Sequence, residues 1–298
     1  MTSAPDLRQA IADHAVVLDG GLATLLEARG HDLSSDLWSA RLLTDAPEAI
    51  TAAHGEFFDA GAQVATTASY QASFAGFATL GLDAAEAADL MRLSVALAAR
   101  ARDEHRPDGW VAASVGPYGA ALADGSEYRG DYDIDVRALR EFHRPRLDVL
   151  ASAGADVLAV ETVPCLAEVE ALCAELDGTG LTAWLSLSAD ADRTRAGEPL
   201  AEAWAMAADV DEIVATGVNC CVPGDVTTAL AGAAGPLVAY PNSGQGWDAV
   251  RRTWTGESAF DAGAVDAWLA EGAALVGGCC RVGPADITAV AAAVAAQA

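Results

Sequence analysis

The sequence predicts a single-domain (β/α)8 barrel over residues 1–298. Three observations predict it. Short apolar runs alternate with helical patterns eight times along the chain, and strands alternating with helices build a parallel sheet. The runs are apolar throughout, as in strands covered on both faces. Many end in polar residues, Gly or Pro, and barrel active sites sit at such C-terminal strand ends. An open doubly wound sheet is the alternative architecture. No composition break marks a second domain.

The elements follow in order. Residues 16–18 form the first strand, ending in Asp19-Gly20-Gly21. A short helix over 22–29 closes at Gly30, and Pro47 and Gly61 bracket a helix over 47–60, since Pro suits a helix start and Gly the position past its end. The second strand (62–67) leads into a polar loop, Ala68 to Gln71, and a long helix spans 84–102. The third strand (110–115) ends at Gly116-Pro117, and residues 118–132 read as a loop. A loop of that length in a compact domain is usually functional. Strands at 156–160, 182–187, 212–219, 237–240 and 274–276 follow, separated by helices at 134–151, 166–175, 200–208, 226–231 and 263–271. A last helix covers 284–296. In this arrangement Asp19, Thr67, Glu161, Asn219, Cys220, Tyr240, Asn242, Cys279 and Cys280 cluster on one face.

Composition narrows the function. With 52% apolar residues the chain can bury a sizeable core, and a net charge of -26 argues against nucleic acid and anionic membranes as partners. There is no signal-peptide pattern near Met1, and the apolar tail at 287–296 is too short to span a bilayer. The six cysteines are not spaced as a disulfide scaffold. A reducing cytoplasm fits these observations. The chain is expected to be a monomer or small homo-oligomer.

Cysteine placement carries the chemistry. Cys279 and Cys280 are neighbours. Their Cα atoms lie about 3.8 Å apart, below the roughly 4.4–6.8 Å of a relaxed disulfide. Gly277 and Gly278 free the backbone before them, so a bent chain can aim both sulfurs at one point. Adjacent thiolates repel unless a cation separates them, and Zn²⁺ prefers such ligands. A catalytic zinc needs a third protein ligand, and Cys220 supplies it while Cys221 faces away. The bland reading is a set of small buried residues at tight turns. Cys165 and Cys173 read as structural, and none of the five His residues falls at a strand C-terminal end.

These motifs resemble a known family. Asp-Gly-Gly (19–21), Gly-Val-Asn-Cys (217–220) and Gly-Gly-Cys-Cys-Arg (277–281) together are similar to the zinc-dependent homocysteine S-methyltransferases. Ala-Asp-Gly-Ser-Glu-Tyr (123–128), Glu-Thr-Val-Pro (161–164) and Tyr-Pro-Asn-Ser-Gly (240–244) extend the resemblance over nearly the whole chain. The short chain looks like the bacterial branch that uses S-methylmethionine. One departure is Gln245, where the pattern leads one to expect an acidic residue.

The resemblance implies a (β/α)8 barrel with Zn²⁺ on Cys220, Cys279 and Cys280. It implies that Asp19 and Glu161 hold the amino group of L-homocysteine, with Gly20 and Gly21 at its carboxylate. Thr67 and Asn219 are further candidate substrate contacts. The implied reaction moves a methyl group from a sulfonium donor to the zinc-held thiolate, giving methionine. Other readings stay open: Asp19 as a helix cap, Glu161 paired with a core Arg, Asn219 serving loop backbone and Tyr240 as a rim aromatic. At the level of function the alternatives are betaine as donor, a selenol acceptor, a structural zinc in a binding protein, and a redox cysteine pair.

Overall fold

The computed structural model describes residues 5–33, 38–248 and 253–297. Eight parallel strands form the sheet: β1 (Val16–Val17), β2 (Val64–Thr66), β3 (Trp110–Val115), β4 (Val157–Val163), β5 (Ala183–Leu187), β6 (Ile213–Asn219), β7 (Leu237–Tyr240) and β8 (Ala273–Val276). Their hydrogen-bonded order is β1-β8-β7-β6-β5-β4-β3-β2, the chain order of a barrel with its seam between β1 and β2. Side-chain and backbone bonds close that seam. Gln63 donates its backbone N–H to Val17 O at 2.7 Å and accepts from Val17 N at 3.0 Å through Oε1. Asp19 then accepts from the Thr66 amide at 2.7 Å and hydroxyl at 2.8 Å.

The helices are α1 (Leu7–Asp13), α2 (Leu22–Ala28), α3 (Trp38–Asp45), α4 (Pro47–Asp59), α5 (Phe74–Thr79), α6 (Ala84–His105), α7 (Tyr118–Leu122), α8 (Val136–Ser152), α9 (Leu166–Leu176), α10 (Leu200–Ala208), α11 (Val226–Leu230), α12 (Val265–Ala270) and α13 (Pro284–Ala295). Two cores result from the two-residue period of the strands. Trp110, Ala112, Val157, Ala159, Trp184 and Leu275 point into the barrel, whereas Val111, Ala113, Leu158, Val160, Leu185 and Val276 meet the helices.

The structure differs from the sequence expectations in a few places. Helix α1 was not expected; its Leu7, Ala10 and Ile11 join the inner core, and Asp6 caps it. The 118–132 segment folds into α7 and a 3-10 turn, Ser126–Tyr128, instead of a plain loop. Strand β4 runs on to Val163, with a register shift beyond Val160 and a left-handed φ of 62° at Thr162. Glu161 therefore stays in the strand and keeps the inward parity of Val157 and Ala159. Among the described residues no helix is long and apolar enough to cross a membrane.

Candidate active site and metal centre

One cavity at the C-terminal mouth collects residues from seven of the strand ends and adjoining loops. Asp19, Gly20, Gly21, Thr66, Thr67, Tyr70, Ser114, Tyr128, Glu161, Cys220, Tyr240, Cys279 and Cys280 all line it. The cysteine segment is fixed by backbone bonds. Gly278 donates to Asp19 O at 3.0 Å, Cys279 to Pro241 O at 2.8 Å, and Val282 back to Cys279 O at 3.0 Å. This tight turn needs Gly278, because a Cβ there would lie 2.1 Å from Val282 Cγ1. Cys220 follows β6 with a left-handed φ of 50°, and its carbonyl accepts from Asn242 Nδ2 at 3.0 Å.

These turns bring three thiols together. The Sγ atoms of Cys220, Cys279 and Cys280 all lie within 4.8 Å of one another. Cys220 and Cys280 are 3.7 Å apart, against about 3.8 Å for the edge of a thiolate tetrahedron with Zn–S near 2.3 Å. The donor set therefore fits a thiophilic divalent cation. Protons are unevenly shared: hydrogen bonds from Cys279 and Cys280 draw Cys220 well below the usual thiol value, and the same contacts with Cys220 push Cys279 and Cys280 well above it. Only a cation would let all three ionise together. Tyr128 sets its hydroxyl 3.5 Å from Cys220 Sγ. Cys221 faces the outer core and burial raises it to about 12.

The cavity also holds two buried carboxylates. Glu161 Oε1 accepts from the Ser114 hydroxyl, and Oε2 from Tyr240 at 3.1 Å. Tyr240 is in turn held by Trp184 Nε1 at 3.0 Å and Ser186 at 2.6 Å. Burial pushes Glu161 up to about 7 and Asp19 up to about 8. Among the described residues, no Arg, Lys or His lines this cavity. Glu161 thus has hydroxyl partners and no core Arg, and Asp19 bridges to Thr66 without capping α2, whose N-cap is Gly21.

The remaining predicted residues have other surroundings. Thr67 lines the cavity, but its hydroxyl accepts from Ser114 N at 3.0 Å and pairs with Ser69 at 2.7 Å. The Gly21 amide donates to Val282 O at 3.0 Å. Asn219 lies behind the wall, fully buried, with Oδ1 accepting from Thr162 N at 2.7 Å and Nδ2 donating to its hydroxyl at 2.8 Å. Gln245 accepts from Arg281 Nε at 3.0 Å. Thr66, Ser114, Trp184 and Ser186 escaped the sequence reading, although inward parity within β3 and β5 marks the last three.

Comparison with known proteins decides the family. The Homocysteine S-methyltransferase family model matches residues 16–294. The chain belongs to the homocysteine S-methyltransferase family. It is an enzyme of the methyltransferase class. The homocysteine S-methyltransferase of Escherichia coli (strain K12) is 47% identical over 290 residues, covering 92% of this chain and 94% of that protein. A selenocysteine Se-methyltransferase from Brassica oleracea var. italica is 39% identical over 301 residues, covering 92% and 87%. The crystal structure of the E. coli homocysteine methyltransferase MmuM in its metallated form superposes with a TM-score of 0.87 at 45% identity, covering 97% of this chain and 99% of that one.

Proposed function

We propose that this family member transfers a methyl group from S-methylmethionine, or another sulfonium donor, to the thiol of L-homocysteine, with Zn²⁺ held by Cys220, Cys279 and Cys280. The observation that carries this reading is one cavity with three converging thiols beside two buried carboxylates and, among the described residues, no protein cation. Such carboxylates suit an ammonium group, and the thiols suit a metal that binds sulfur. Bound Zn²⁺ would lower the pKa of a coordinated thiol and present it as thiolate.

The chain's own groups do the positioning. Asp19 and Glu161 hold the amino group; Thr66, Ser114 and Tyr240 keep their oxygens aimed at it. Because the Gly21 amide is engaged, the contact to the amino acid's carboxylate falls to Gly20. Thr67 and Asn219 act through the wall: Thr67 on Ser114, and Asn219 on Thr162. A transfer in which thiolate and sulfonium neutralise each other gains where bound substrates displace water from the cavity. Alignment of sulfur and methyl then sets the rate. A selenol acceptor is a second reading, supported by the selenocysteine-methylating relative.

The test compares donors on zinc-loaded protein with homocysteine as acceptor. Methionine formation with S-methylmethionine and none with betaine is the expected result. Turnover with betaine alone would replace the sulfonium donor, and absence of transfer from either would remove the proposal.

A further inference from the structure

Behind the cavity sits a charged group that the chemistry above does not use. Arg146, on α8, is fully buried. It donates from Nη1 to Gly116 O at 2.8 Å and from Nη2 to Tyr70 O at 3.1 Å and Ser69 O at 3.4 Å. Its guanidinium carbon lies 5.5 Å from the centre of the Phe142 ring. Burying a guanidinium is costly unless the surroundings hold it, and here its partners are carbonyls of the loops after β2 and β3.

Those two loops meet at Tyr70. A Cβ at Gly116 would lie 2.5 Å from Tyr70 O and 2.6 Å from Tyr70 Cδ2, so the ring rests directly on the glycine backbone. The other end of the same turn is held by Glu168 of α9. Its Oε1 accepts from the Tyr118 amide at 2.6 Å and from His143 Nε2 at 2.8 Å, with both side chains fully buried. Tyr70 itself lines the cavity, with its hydroxyl buried beside Thr162. An aromatic face on the cavity wall suits a cationic ligand.

We propose that Arg146 is a positioning residue that fixes Tyr70 as the wall against which the methyl donor is aligned with the acceptor thiol. The proposal rests on the reading of the cavity as a sulfonium-to-thiol transfer site. Arg146 touches no substrate; it acts by holding three carbonyls at once, which a lysine's single ammonium cannot reproduce.

The experiment is a double-mutant cycle of Arg146→Lys and Tyr70→Ala in zinc-loaded enzyme, with homocysteine affinity measured separately by calorimetry. Arg146→Lys alone is expected to lower kcat/KM for the donor by about ten- to a hundred-fold. Homocysteine Kd should stay within about two-fold, because the carboxylates that hold its amino group are untouched. In the Tyr70→Ala background the same change should cost less than about three-fold. Additive losses, or equal shifts for donor and homocysteine, would overturn the proposal. Gly116→Ala, which displaces Tyr70 while keeping the guanidinium of Arg146, should copy the Arg146→Lys signature, and wild-type kinetics in it would count against the proposal. Hydrogen exchange supplies a readout independent of any donor. Amides at 70–72, 116 and 118–122 should lose protection in Arg146→Lys while the strands keep theirs, and a uniform loss would overturn the proposal. Failure of wild-type protein to use any sulfonium would fall on the function proposed above, and the exchange comparison would then decide this inference.

Discussion

At the scale of single residues, the site is governed by what burial does to acids. Glu161 and Asp19 sit at about 7 and about 8 because burial penalises their charged forms by more than the hydrogen bonds from Ser114, Tyr240 and Thr66 favour them. They must ionise to hold an ammonium, so kcat/KM for homocysteine should fall as pH drops from 8 to 6, with zinc content checked at each pH. Glu161→Gln should weaken that acid limb. It should also raise homocysteine KM by roughly ten- to a hundred-fold, the worth of about 1.5–3 kcal/mol for a charged hydrogen bond. An unchanged KM would remove Glu161 from the substrate's amino group. The cysteines were the most legible part of the site. Adjacent thiols after paired glycines have few physical uses, and the parity of the neighbouring strands already separated Cys220 from Cys221. Asn219 was less legible: its position at a strand end is the same whether its amide faces the cavity or, as found, Thr162.

At the scale of elements, helix α4 carries a second consequence of burial. His54 is fully buried with neither ring nitrogen partnered, and burial lowers it to about 4. Its folded value lies below the ordinary 6.5, so the unfolded chain takes up the proton first, and stability is lost as pH falls from 6.5 towards 4. Between pH 6.5 and 5 this amounts to about 2 kcal/mol. His54→Leu should therefore lose less stability than wild type over that interval in urea unfolding. Comparing the two proteins isolates His54 from Asp19 and Glu161, whose raised values act in the opposite sense. Identical slopes would contradict a neutral buried imidazole. The elements themselves were readable where apolar runs were long and bounded by Gly or Pro, as in β3 and α4. Helix α1 was missed because its apolar side is only Leu7, Ala10 and Ile11, and the barrel floor supplies most of its packing. The 118–132 segment read as loop because its Gly and Asp content hides two short turns of helix, one of which delivers Tyr128 to Cys220.

At the scale of the whole molecule, a barrel with a net charge of -26 folds against its own repulsion. Salt screens that repulsion, so the thermal midpoint should rise between about 0.01 and 0.5 M NaCl; a flat or falling midpoint would show that local ion pairs dominate. Closure is the other global feature. β1 contributes only Val16 and Val17 to the ladder, and Gln63, Asp19 and Thr66 complete the seam. Thr66→Val keeps the shape but removes one hydroxyl from Asp19. It should cost about 1–2 kcal/mol in denaturant unfolding and also raise homocysteine KM, since one carboxylate both closes the barrel and faces the cavity. The strand alternation showed the barrel in the sequence, but the seam was hidden because one backbone bond from Gln63 and the side chains of Gln63 and Asp19 stand in for a regular ladder.

The most direct test of the central claim is zinc content and methionine formation measured together on wild-type and Cys280→Ala protein. About one zinc per chain with turnover is expected in the wild type, and loss of both in the variant. Turnover that persists in Cys280→Ala protein freed of zinc would contradict a metal-thiolate site.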